Sequence, residues 1–306
     1  RLAKAHDADI VIGDYKREFL GNFLTVRNGI APGVYERSRI ELEVLPNMIS
    51  NGPFFSHGLK TYSWGKLYRR SLILELQNQV PGSVVVAEDA ALLYPAIMRS
   101  RIIVIGDLDL CNYRHRPKSI LNSTHFDQGE TDRIATAFRY MSRALNISDS
   151  SFGFKSQLQS YFASIVTIRS GAFMSNLDLY DRFRVFGYLT PGSRLALYNS
   201  GSFGQHVYRH LQNNPSFCLA GWYDKDYREN SILHMPVSDP DTLRNADFDY
   251  LLVASFDPAL LAEVRALFAR HGFDLAKMRP ISMDSSRVES FIQAAGYNPL
   301  TFEPLN

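Results

Sequence analysis

A chain of 306 residues is longer than one small hydrophobic core usually organises, which predicts two compact units and a connection between them. With 45% hydrophobic, 21% charged and 12% aromatic residues, the composition is that of a globular protein and excludes long disorder. A net charge of +2, from 33 basic and 31 acidic residues, leaves no electrostatic footprint for nucleic acid or an anionic bilayer, so small molecules or proteins are the expected partners.

The only cysteines, Cys111 and Cys218, stand far apart and without metal-ligand spacing. That excludes a disulfide framework and a zinc site, and predicts a reducing, cytoplasmic compartment. No apolar run approaches the length of a membrane span, the longest being of the kind at Ile102 to Ile105. Peripheral membrane contact and oligomer formation stay open. The opening stretch "RLAKAHDADIVIGDY" has the pattern of a helix end running into a strand, so the chain is expected to be a fragment.

In chain order, the pattern predicts a helix end, a strand over Asp9 to Gly13, a polar stretch containing "GIAPG", and a helix near 36–50. "WGKLYRRSLIL" (64–74) has helical spacing, "SVVV" (83–86) is extended, "EDAALLYPAIM" is helical and "RIIVIGD" (101–107) is a strand. Residues 128–187 carry apolar side chains at helical spacing and few strand signals, which predicts a helical connector. Beyond "YLTPGS", the segments "RLALYNSGSFGQHVYRHL", "FCLAGWYDKD", "DYLLVAS", "PALLAEVRALFARHG" and "MRPIS" alternate strand, helix and strand. Such alternation predicts a parallel sheet.

In that second region "YNSGSFG" (198–204) stands where a dinucleotide fold carries G-x-G-x-x-G, with Asn199 in place of the first glycine and Gly201 and Gly204 retained. Turn amides and the following helix N-terminus would point a positive partial charge at a phosphate. Asp224, twenty positions after Gly204, ends the second strand, where an acid accepts hydrogen bonds from ribose hydroxyls. These three residues are the candidate nucleotide-binding set. The alternative is that the glycines serve close strand-to-helix packing and that Asp224 is a solvated strand end.

In the first region, Glu88 and Asp89 form an acid pair at the start of an amphipathic segment, where acids complement a helix dipole. "YSWGKLYRRSLI", "AEDAALLYPAI" and "LCNYRHRPKSI" follow one another over residues 62–120, and "DADIVIGDY" precedes them. In this order they resemble the C-terminal, acceptor-side half of the catalytic domain of bacterial family 2 glycosyltransferases, of the GT-A type. The resemblance covers roughly residues 1–122. It implies a partial GT-A domain over 1–124, which with the patterns above gives an α/β protein continuing in a helical connector over 125–190 and a Rossmann-like parallel-sheet domain over 191–306.

The implied activity is inverting transfer of a sugar from a nucleotide-sugar donor to a polysaccharide or glycolipid acceptor. Inversion needs a base beside the acceptor hydroxyl and charge neutralisation at the departing diphosphate. The resemblance assigns the base to Asp89, with Glu88 orienting it or touching the acceptor. It places Arg114, His115, Arg116 and Ser119 near the donor phosphates, where guanidinium groups bind oxygens in a fork. Trp64 and Lys66 belong to the substrate-binding set, although Gly65 stands where the family commonly has asparagine.

The family also implies a divalent metal, manganese or magnesium, held by a D-x-D upstream of the matched segments, with the donor half preceding residue 1. Four triplets match D-x-D in form, at Asp7 to Asp9, Asp107 to Asp109, Asp224 to Asp226 and Asp239 to Asp241, and none is placed as the family places it, so no metal ligand is assigned. Two other functions compete: a nicotinamide- or nucleotide-sugar-dependent activity of the C-terminal domain, and a non-catalytic docking or oligomerisation role for it.

Overall fold

The computed structural model describes residues 1–19, 22–52, 57–114, 129–149, 151–169, 189–228, 235–255, 258–281 and 285–305. These form two compact units, one of residues 1–163 with 296–306 and one of 164–295, whereas the sequence placed its divisions at 124 and 190.

The first unit is built on a mixed, five-stranded sheet. A short helix α1 (Leu2–Ala5) leads into β1 (Ile10–Phe19), which pairs in parallel with β5 (Ile102–Arg114). Both are longer than the strands expected over Asp9 to Gly13 and 101–107. Ile10, Val11 and Ile12 lie beside Ile103, Val104 and Ile105, and all six are buried, as suits β-branched residues in a parallel pair covered on both faces. The other edge of β1 is shared by β4 (Lys66–Tyr68), antiparallel to Ile10–Ile12, and β2 (Asn22–Val26), antiparallel to Tyr15–Phe19. β3 (Gly33–Glu36) pairs antiparallel with β5 and leads, through α2 (Arg37–Arg39), into helical turns that bury Ile40, Val44, Leu45 and Met48.

The segment 64–74 is not one helix. Residues 66–68 are β4, the backbone at Arg69 is extended, and α3 (Arg70–Gln77) starts only after it. The cause is tertiary: the Arg69 amide donates to the Asp9 carbonyl at 2.7 Å, and its guanidinium Nε meets Asp9 Oδ1 at 2.6 Å. Pairing to β1 overrides a helical spacing that propensity alone supports only weakly. "SVVV" forms no strand either. Val84 and Val86 are buried and Val85 is exposed, the alternation of a strand without a ladder.

α4 (Glu88–Arg99) buries Ala90, Ala91, Leu93, Tyr94, Ala96 and Ile97. The expected helical connector contains α5 (Glu130–Ala144) and α6 (Phe154–Arg169), and residues 170–188 lie outside the described residues. Phe302, in the returning C-terminal segment, packs on Phe138 of α5 and Phe162 of α6 with ring centroids 4.9 and 5.7 Å away, and Arg139 bonds Glu303 at 2.6 Å. Burial of one such phenyl ring contributes about 1.5–3 kcal/mol, which fixes this tail to the first unit.

The second unit carries the expected parallel sheet, five strands in the order β10-β9-β6-β7-β8. Its elements are β6 (Arg194–Tyr198), α7 (Ser202–Asn213), β7 (Cys218–Tyr223), β8 (Val237–Ser238), β9 (Tyr250–Val253), α8 (Pro258–Arg270), β10 (Met278–Pro280) and α9 (Ser285–Ala294). β8, with two residues, is too short to leave a periodic signal in the sequence. Ala196, Tyr198, Leu251, Val253, Val264, Phe268 and Met278 form its core. The chain starts at the central strand β6, moves out through β7 to β8, then returns to β9 on the other side. That reversal, between β6 and β9, is the place where open α/β sheets of this order leave a crevice.

Candidate functional site

Three segments far apart in sequence meet in an aromatic cluster beside β4. Trp64 precedes β4 and stacks between Tyr62, at 4.6 Å and 18°, and Tyr113 near the end of β5, at 5.0 Å and 11°. Tyr15 of β1 meets all three rings edge-on, the closest being Trp64 at 4.8 Å. Offset and edge-on ring pairs of this kind contribute about 0.5–1.5 kcal/mol each beyond area burial, so the stack ties β1, β4 and β5 at one place.

Lys66 leads β4, and its ammonium donates to the Tyr62 carbonyl. Burial pulls its pKa from 10.5 down to about 8, and the negative charge of Asp89 opposes that fall. Tyr68, two residues on, has its hydroxyl proton held more firmly than usual, first by burial and then by Asp89. Its buried oxygen has no hydrogen-bond partner among the described residues. The same holds for Nδ1 of His57, whose pKa falls to about 4 through burial first and the Lys60 charge second. The His57 ring lies 5.6 Å from that of Tyr161, edge-on. Tyr161 in turn has a raised pKa, mainly through burial, with Glu88 and Asp89 contributing and a hydrogen bond with Thr61 opposing.

Asp89 is half-buried and Glu88 exposed, both in the first turn of α4. Ala87 caps that helix in the left-handed region, φ 57°, ψ 28°, a conformation costing an alanine about 1–2 kcal/mol. The acid pair thus stands in the first turn, where a helix N-terminus favours negative charge. Asp89 therefore acts electrostatically on the half-buried Lys66 ammonium and on two firmly protonated phenols, Tyr68 and Tyr161. Such a set can accept one proton at the carboxylate and donate hydrogen bonds around it.

The other expected residues divide in two. Arg114 ends β5 and its backbone is placed, but its side chain, with His115, Arg116 and Ser119, lies outside the described residues. The D-x-D triplets are all engaged by the protein itself. Asp7 and Asp9 bind Arg69 and Arg101, Asp107 pairs with Arg27, and Asp109 pairs with Lys16 at 2.9 Å. Asp239 caps the amide of Asp241 at 2.9 Å, and Asp241 meets His271 at 3.1 Å. Among the described residues no group of three or more His, Cys, Asp or Glu is placed to hold a metal ion.

In the second unit, Gly201 caps α7 and Asp224 follows β7, so the candidate nucleotide set does converge. Asp224 is buried, and its Oδ2 accepts from the Ser200 amide at 2.5 Å and the Ser200 hydroxyl at 2.7 Å. Its Oδ1 accepts from the Asp226 amide at 2.9 Å. Asn199 takes a positive φ of 85° and its Oδ1 accepts from the Gly201 amide at 3.0 Å. Gly204 is required by space: a Cβ there would stand 1.9 Å from the Asn199 carbonyl oxygen.

No family model matches the chain, and neither the curated proteins nor the solved structures contain a match. No helix among the described residues is long and apolar enough to cross a membrane. The functional argument therefore stands on the geometry above. Of the groups that feel the Asp89 charge, Lys66 and Tyr68 sit inside the quoted motifs and were within reach of the sequence; Tyr161 carries no local signal, since only folding brings it into that field.

Proposed function

We propose that the first unit is the acceptor-side part of an inverting, GT-A-type glycosyltransferase of family 2 that works in the cytoplasm on a nucleotide-sugar donor and a polysaccharide or glycolipid acceptor. One observation carries this reading: Lys66 and Tyr68, from the "WGKLY" segment, lie in the electrostatic field of Asp89, from the "EDAALL" segment, while Trp64 of the first stacks on Tyr113 of "LCNYR". Segments that resemble a family's motifs in order are brought within one another's reach by the fold.

In the proposed reaction the acceptor hydroxyl oxygen attacks the anomeric carbon of the donor. Its proton passes to an Asp89 carboxylate oxygen, and the bond from the anomeric carbon to the diphosphate breaks, the electron pair leaving with the nucleoside diphosphate. The Asp89 carboxylate acts electrostatically on the Lys66 ammonium, and the Tyr68 hydroxyl, without a hydrogen-bond partner among the described residues, can give one to an incoming oxygen. None of the four Asp-x-Asp triplets fits a metal, because arginine, lysine, histidine or backbone amides engage each of them, so no step is assigned to one. The second unit is read as a Rossmann-like module.

The test is Asp89→Asn in the protein. Sugar transfer should fall by about 10²–10⁴-fold while donor affinity stays within about twofold, because only the proton acceptor is removed. Turnover at the wild-type rate would remove Asp89 from the role.

A further inference from the structure

The strand order of the second unit and its glycine turn imply a bound nucleotide, and the residues present do not fit one. We propose that this turn is a staple closed from within, in which the Asp224 carboxylate takes the place that a ligand phosphate takes in dinucleotide-binding turns, so the turn does not bind a nucleotide.

A phosphate at such a turn needs outward-pointing amides and an open crevice beside the first strand. At Ser200 and Gly201 the amides are taken, and the crevice is bridged. The Ser200 amide and hydroxyl are turned onto one Asp224 oxygen, at 2.5 and 2.7 Å, and the Gly201 amide onto Asn199 Oδ1 at 3.0 Å. A phosphate would have to displace a buried carboxylate that holds three donors, and until it did so it would face a like charge. A ribose diol would find three of the carboxylate's about four acceptor sites already taken.

The crevice is bridged as well. Asn199 Nδ2 donates to the Ala254 carbonyl at 2.6 Å, joining the ends of β6 and β9 where the strand order reverses. The Asn199 carbonyl accepts from Trp222 Nε1 at 3.0 Å and its amide donates to Tyr223 at 3.0 Å, joining β6 to β7. Asparagine can do this at a positive φ because its short side chain bonds the local backbone, which a glycine in that position cannot. Gly204 keeps the fingerprint spacing for a reason independent of ligand, the 1.9 Å approach to Asn199.

The experiment is a ¹⁵N-resolved NMR titration of the chain with inorganic pyrophosphate, UDP, ADP and NAD⁺, following the backbone amides from Ser200 to Gly204 and of Asp226 and the side-chain amide of Asn199. All of these signals should stay in place to about 10 mM of each compound. Movement confined to residues outside 199–204 and 224–226 also supports the proposal, since it places binding elsewhere. A saturable movement of any of the followed signals with a Kd of about 1 mM or tighter, from any of the four compounds, overturns it.

Discussion

Replacing Lys66 with methionine should make the first unit more stable at neutral pH. The ammonium is charged at pH 7 in both the folded and unfolded chain, but burial lowers its folded pKa from 10.5 to about 8. At about 1.4 kcal/mol per pH unit, that fall means that keeping the charge inside costs on the order of 3 kcal/mol. Methionine has similar length and no charge to desolvate. Against the gain stand the hydrogen bond from the ammonium to the Tyr62 carbonyl, about 1 kcal/mol, and the loss of a positive charge near Asp89. The expected balance at pH 7 is a stabilisation of roughly 1–2 kcal/mol.

The pH dependence gives a second reading of the same residue. Between pH 8 and 10.5 the unfolded chain holds the Lys66 proton and the folded chain releases it, so wild-type stability should rise with pH across that window and level off above it. Lys66→Met should lack the rise. Hydrogen exchange at the amides of β1 and β5, at pH 7 and pH 9.5, reads the first unit separately from the second. Destabilisation by the substitution at pH 7, or a rise above pH 8 that survives in the variant, refutes the reasoning. A side chain retained at the expense of stability points to use, and on the proposed reading the stabilised variant should lose activity.

His57 titrates in the opposite range. Its pKa falls from 6.5 to about 4, so the unfolded chain binds a proton that the folded one refuses, and the first unit should lose on the order of 3 kcal/mol as pH drops through 6.5 to below 4. An acid unfolding profile that is unchanged in His57→Gln would contradict this. In the glycine turn of the second unit, Gly204→Ala should cost about 1–3 kcal/mol or more, because its Cβ meets backbone at 1.9 Å, whereas Gly201→Ala meets only the Asn199 side chain at 3.3 Å and should cost far less. Equal shifts in thermal midpoint for the two would show that the close approach at Gly204 is not what the turn depends on.

What the sequence could say about the fold depended on how local each cause is. α4 and α8 were legible because their apolar spacing is a property of a dozen consecutive residues, and the parallel sheet followed from strands and helices taken in turn. The segment 64–74 was misread because β4 is made by pairing with β1, more than fifty residues earlier, and by the Asp9–Arg69 contact that holds Arg69 extended. Nothing in the eleven residues themselves distinguishes that outcome from a helix. β8 was missed because two residues carry no period.

The two candidate sites show the same limit on the chemical level, and in opposite directions. At Asp89 the acid pair was visible as a helix start, but its environment comes from Lys66, Tyr68 and Tyr161, which a first-turn dipole argument does not include. There folding adds to what the motif suggested. At the glycine turn the spacing of Gly201, Gly204 and Asp224 was visible and all three converge, yet the direction in which Asp224 faces could not be inferred from spacing. Its carboxylate turns inward to Ser200, and Asn199 replaces the flexible glycine with a residue that bonds across the strands. A fingerprint is a statement about backbone geometry, since the glycine that must approach within van der Waals contact is needed whether or not a ligand is bound. Ligand binding depends on which donors are left unpaired once the chain has folded. At this turn the protein pairs its own donors first.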